Sequence, residues 1–152
     1  MALFDELDEF QVDWRVFELR ASHRDDMEAS YRRALTDPDS LLLVAESNAN
    51  PLLVGMALGH VMKPSSFSDQ LALELGSVVV RRDHRGRGIA TEMVRRMAAF
   101  GRQLGAGRIS VRVFTGNSSA VEYWRRLGFE DRFVQLTAPV DSLAETSGLS
   151  DS

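Results

Sequence analysis

Residues 71–104 constrain the fold of this chain more than any other stretch. Leu71, Leu73 and Leu75 alternate with other residues and lead into three consecutive valines, Val78, Val79 and Val80. Such a run suits a strand covered on both faces. Two glycines, Gly86 and Gly88, follow. From Ile89 onward Ile89, Met93, Met97 and Leu104 fall on one helical face, with Glu92, Arg95, Arg96 and Arg102 elsewhere. Ile109, Val111 and Val113 then alternate with Ser110, Arg112 and Phe114 as a half-exposed strand. This order predicts that residues 71–80 and 108–114 are parallel neighbours joined by a right-handed helical crossover. Helix N-termini then gather at one end of the sheet, where a ligand belongs.

Upstream, residues 14–20 read as a first strand and residues 24–35 as a helix with Asp25, Asp26 and Glu28 in its first turn, where the dipole favours acids. Residues 41–47 and 52–62 flank the turn-rich Asn48, Ala49, Asn50 and Pro51, the pattern of an antiparallel hairpin. Downstream, Ser119 and Glu122 form a capping-box pattern for a short helix over residues 120–127. That pattern leaves Asn117 outside the helix with its side chain free, and Gly128 is a natural terminator. Residues 129–138 resume strand character. The expected fold is mixed α/β: a mostly antiparallel sheet with a parallel central pair, flanked by helices. One domain is expected over residues 1–138, with 139–152 a flexible tail.

The chain has 152 residues and no cysteine, so its core must form without disulfides, and thiolate metal sites and thiol nucleophiles are excluded. Its apolar runs are strand-sized, far below the roughly 20 residues that span a bilayer. The acidic start, with Asp5, Glu6, Asp8 and Glu9, shows no signal peptide, and a cytoplasmic, membrane-free protein is expected. His23, His60 and His84 are too scattered to suggest a metal site, although His84 stands beside the glycine loop. The net charge of −4 hides an asymmetry, for residues 81–132 hold 12 Arg against 5 acids while the remainder is strongly acidic.

The basic half surrounds the segment Arg85, Gly86, Arg87, Gly88, Ile89, Ala90 and Thr91. Between a buried strand and a helix, the unpaired N–H groups of the helix start point into the turn. Glycines let an oxyanion approach the main chain, and the helix end adds roughly half a positive charge. This is a diphosphate cradle in outline, and a structural turn explains the same two glycines equally well. A dinucleotide fingerprint would want a third glycine at Thr91 and an acid about 20 residues on, where Arg108 and Arg112 lie instead. A P-loop would need Gly-Lys-Ser/Thr, which is absent.

Arg85, Gly88 and Ala90 match the pyrophosphate motif of the GNAT superfamily of N-acetyltransferases, which this sequence resembles. Asn117, Ala120, Leu127, Gly128 and Phe129 are similar to that family's downstream segment, which runs from Asn-x-x-Ala into Gly-Phe. The resemblance implies that acetyl-CoA is the co-substrate. Its pyrophosphate would lie on the amides of residues 85–91, its pantetheine arm would pair with the main chain of Val78, Val79 and Val80 like an added strand, and Asn117 would bond the same arm. The acceptor would be a small amine or a peptide or protein amine, with no metal, nucleic acid or membrane involved. The assembly state stays open, a homodimer included.

Amide formation needs a neutral amine, and a pKa near 10 leaves about a thousandth of it neutral at pH 7. Glu74, eleven residues before Arg85, is placed like the general-base glutamate of some members of the family. Alternation sets it off the face of Leu73 and Leu75, where a solvated glutamate is the plainer reading. The tyrosine that many members use to protonate the leaving thiolate corresponds here to Trp124, whose indole cannot do so. Tyr123 is adjacent, about 100° away around a helix, and is the remaining candidate acid. Direct attack in a ternary complex is the expected route. A non-catalytic acyl-CoA-binding or sensing module is the alternative.

Overall fold

A computed structural model describes residues 21–49, 52–64, 66 and 68–144. The strand expected at residues 14–20 lies outside the described residues. Helix α1 (His23–Ala34) carries Asp25 and Asp26 in its first turn and Arg32 and Arg33 in its last, matched to its dipole at both ends. Strands β1 (Ser40–Glu46), β2 (Leu53–Met62), β3 (Ala72–Val80) and β4 (Arg108–Val111) form one sheet in that order. The pairs β1–β2 and β2–β3 are antiparallel, and β3–β4 is parallel. Helix α2 (Ile89–Gln103) makes the crossover between β3 and β4, as the sequence pattern predicts.

One face of the sheet packs on α2. Ala57, Val61, Leu73, Leu75 and Val80 meet Met93, Val94 and Met97 in a single buried cluster, with Leu73 and Met97 the most enclosed. At roughly 25 cal/mol per Å² of apolar surface, this cluster is the main stabilising term of the sheet-helix pair. The expected helical stripe holds through Met97, but Leu104 is exposed because the helix has ended; Gly101 fills the buried position instead.

The alternation in β3 breaks at Gly76. Leu58 pairs with Ser77 and Gly59 with Leu75, so Gly76 has no partner on β2 and forms a bulge. Leu73 and Leu75 face α2 before it, and Val78 and Val80 do so after it. Ser77 and Val79, both buried, turn to the other face, where the Tyr31 hydroxyl of α1 lies 3.5 Å from Ser77 Oγ. The parallel ladder stops at the same place, its last pair being Leu75 with Val111. Strand β4 therefore ends at Val111 rather than at residue 114. A bulge increases local twist, and the two strands diverge beyond it.

One further expectation is corrected. Residues 129–138 form no strand: Phe133, Val134 and Leu136 are 79%, 75% and 88% exposed, and with no neighbouring strand among the described residues strand-prone side chains gain no ladder. A short exposed helix, Val140–Ala144, follows α3 (Ser118–Arg126) as α4.

Candidate active site

Where β3 and β4 part, a cleft of about 590 Å³ opens. Val78, Val79 and Val80 form one wall, Val111, Val113 and Phe114 the other. The start of α2 closes one end, and Asn117, Ala120, Tyr123 and Trp124 close the side. Along Ser77 to Val80 the β2 edge of β3 is paired, while the edge toward β4 borders the cleft with no strand beside it among the described residues. An extended ligand can use that edge as a strand would.

The loop from β3 to α2 is built to leave main-chain donors open. Gly86 and Gly88 have φ of +75° and +80°, a region that costs other residues energy, and a Cβ at either would meet nothing within 4 Å. Gly88 is the N-cap of α2 and offers no side-chain cap, so the first-turn amides of Ile89, Ala90 and Thr91 face the cleft end. Arg85 folds back, its Nε donating to the Val80 carbonyl at 2.8 Å, which ties the loop to the strand. Asp83 organises the other side: Arg81 donates to both carboxylate oxygens at 3.2 Å, and His84 Nδ1 lies 2.8 Å from Oδ1. The Arg81 and then the His84 hydrogen bonds hold the Asp83 carboxyl well below the usual carboxylate range. Arg87 donates to the Asp83 carbonyl at 3.3 Å and does not line the cleft.

Asn117 is not free, contrary to the sequence expectation. It is the N-cap of α3, and its Oδ1 accepts from the Ala120 amide at 3.1 Å and from Ser119 Oγ at 3.2 Å. Ser119 therefore lies inside the helix and no capping box forms, because the helix begins two residues earlier than expected. The Asn117 Nδ2 makes no hydrogen bond among the described residues, and the residue lines the cleft. Tyr123 also lines it, its hydroxyl 3.1 Å from Thr91 Oγ1 in the first turn of α2. Trp124 is buried and packs edge-on against Tyr123 and Phe129, with centroids 5.1 and 5.0 Å apart.

Glu74 does not line the cleft. It lies one residue before Leu75 at the inner end, half-buried, with its Oε1 3.7 Å from the Nε of Arg112, which does line it. The sequence reading placed Arg112 on a strand and gave it no role in the site. Its position in the alternating segment after Val111 is the signal that could have found it. The fold thus gathers Val78, Val79, Val80, Arg85, Gly86, Gly88, Ile89, Ala90, Thr91, Asn117 and Tyr123 around one space, and leaves Arg87 and Glu74 at its margins. Among the described residues no group of three His, Cys, Asp or Glu could hold a metal ion, and no helix is long and apolar enough to cross a membrane.

Fold and site together define an α/β domain with a cleft bordered by main-chain groups along a strand edge and at a helix start. The chain belongs to the acetyltransferase (GNAT) family, whose model matches residues 5–129. It is 34% identical over 93 residues to a streptothricin acetyltransferase of Streptomyces lavendulae, a match covering 61% of this chain and 46% of that protein. The chain spans less than half the length of the curated relatives it matches, at 39% and 46%. A mutant form of the BH1408 protein from Bacillus halodurans superposes with a TM-score of 0.78 at 16% identity, covering 91% of this chain and 90% of that one. AAC(6')-Iy, solved in complex with the bisubstrate analogue CoA-S-monomethyl-acetylneamine, gives a TM-score of 0.66 at 17% identity over 76% of this chain and 80% of that one. Both structures share the fold.

Proposed function

We propose that this chain transfers an acetyl group from acetyl-CoA to a primary amine by direct attack in a ternary complex. The observation that carries the reading is the continuity of the cleft, from the uncapped start of α2 down the open edge of β3 to the bulge at Gly76. The amides of Ile89, Ala90 and Thr91, with the main chain of Arg85, Gly86, Arg87 and Gly88, suit a pyrophosphate. Val78, Val79 and Val80 would pair with the pantetheine arm, and Asn117 Nδ2 is a donor toward it. Family membership supports the same ligand.

The thioester supplies the acetyl group and a thiolate leaving group. The C–N bond forms as the C–S bond breaks, and one proton leaves the amine. Glu74, at the inner end of the cleft, is the group that draws that proton, directly or through a water. Tyr123 stays in this reading as the candidate acid for the thiolate. Its hydroxyl is held by Thr91 in the phosphate-binding turn, so water, or the second proton that an ammonium acceptor loses, is the other source. Thiolates leave readily enough for either. A cationic acceptor fits the acidic remainder of the chain. The relatives named for streptothricin and for a neamine analogue support that class.

Thiol release from acetyl-CoA, measured against aminoglycosides, polyamines and peptide amines, tests the proposal. Glu74→Gln should lower kcat by roughly 100-fold with acetyl-CoA affinity intact; unchanged turnover would remove Glu74 from the mechanism. The non-catalytic reading draws support from the burial of Trp124 where the family places its tyrosine. Tight acetyl-CoA binding with no thiol release across the panel would establish it instead.

A further inference from the structure

Away from the cleft lining, a hydrogen-bonded group joins Asp37, Ser40 and His60. Ser40 Oγ donates to Asp37 Oδ2 at 2.6 Å, and the Asp39 amide donates to Asp37 Oδ1 at 3.0 Å. His60 Nδ1 lies 2.8 Å from Ser40 Oγ and 3.3 Å from Asp37 Oδ2. A serine hydroxyl carries one hydrogen, and a carboxylate none. Since Ser40 gives its hydrogen to Asp37, the contact between His60 and Ser40 requires the hydrogen on Nδ1. The bare nitrogen of the neutral ring is then Nε2. The Ser40 hydroxyl first, then the Asp39 amide and His60, holds the Asp37 carboxyl below the ordinary range, which keeps it the acceptor in this chain of bonds.

The sheet register decides what His60 stands beside. His60 and Glu74 are direct cross-strand partners, which puts their Cβ atoms about 5 Å apart on one face. The adjacent pair is Gly59 with Leu75, and Leu75 lines the inner end of the cleft. The charged groups around the imidazole are Asp37 from the turn after α1, Glu74 from β3, and Arg112 beyond Glu74. The His60 side chain is 46% exposed, so a proton gained there can pass to solvent.

We infer that His60 is the acceptor to which Glu74 passes the proton of the incoming amine. The inference rests on the acetyl-transfer reading above. An N–H bond of the ammonium breaks, the proton crosses the carboxylate and then a water, since carboxylate and ring make no direct contact, and an Nε2–H bond forms to give an imidazolium. Asp37 and Ser40 are positioning residues that fix the tautomer. The chemical reason for a histidine is a matter of strength: an ordinary imidazole holds a proton about two pKa units more tightly than an ordinary carboxylate.

His60→Gln should lower kcat by about 30- to 100-fold and leave the affinity for acetyl-CoA unchanged. Asp37→Asn should lower kcat by less, because it disturbs the tautomer without removing the ring. Nitrogen NMR of the wild-type chain reads the tautomer without reference to turnover, and should show the neutral ring protonated at Nδ1. An active chain whose His60→Gln variant keeps the wild-type kcat would overturn this proposal alone, as would a neutral ring protonated at Nε2. A wild-type chain that binds acetyl-CoA but acetylates no amine would overturn the transferase reading and this proposal with it.

Discussion

At the scale of single residues the candidate site depends on backbone conformations that side chains cannot supply. Gly88 at φ +80° lets α2 begin in open space, so its first amides stay uncovered. Gly88→Val should cost about 1–2 kcal/mol of stability from the left-handed conformation. It should also raise the Kd for coenzyme A at least tenfold, because a branched side chain would stand where the anion approaches. Thermal denaturation and calorimetric titration separate the two effects; a folded variant with wild-type affinity would sink the cradle assignment. Trp124 shows how one substitution changes a site without altering its frame. The indole fills the wall between Tyr123 and Phe129, and the adjacent hydroxyl is drawn to Thr91.

At the scale of elements two features shape the cleft, the bulge in β3 and the cap of α3. The bulge at Gly76 ends the parallel ladder and opens the strands. The cap fixes Asn117 at the wall of the cleft, its oxygen holding the helix start. At the other end, Phe129 N donates to the Trp124 carbonyl and Gly128 N, at φ +97°, to that of Arg125, so α3 closes on itself and buries Phe129 against Trp124. Asn117→Ala should lose about 1 kcal/mol of stability together with acetyl-CoA affinity. Asn117→Asp keeps an oxygen cap and should hold the melting temperature while still losing affinity. Equal affinity in the aspartate variant would confine Asn117 to capping.

At the scale of the whole molecule, surface carboxylates set the acid limit of stability. Ser40 lowers the carboxyl of Asp37, Arg81 that of Asp83 and Arg125 that of Asp131. A folded value below the unfolded one, about 3.9, contributes stability above that pH and loses it as pH falls through the folded value. The melting temperature should therefore drop below about pH 4, and less steeply in high salt, since these pairs are exposed and screened. A melting temperature that stays flat from about pH 5 to 2.5 at low salt would contradict this.

The strand, turn, helix and strand of residues 71–111 were legible because burial on two faces, glycine and the helical period each leave a local mark. The turn from Arg85 to Thr91 was readable for the same reason, although Arg87 proved to lie outside the cleft lining. The bulge at Gly76 was not, because it exists only in the register between β2 and β3; nor was the length of β4, which continues to alternate after its partner has turned away. Residues 129–138 have strand-forming side chains, but a strand needs a neighbour, and no local pattern supplies one. The same holds for His60. Its meaning comes from Ser40, twenty residues away, and from Glu74 across the sheet, contacts that only the folded register brings together.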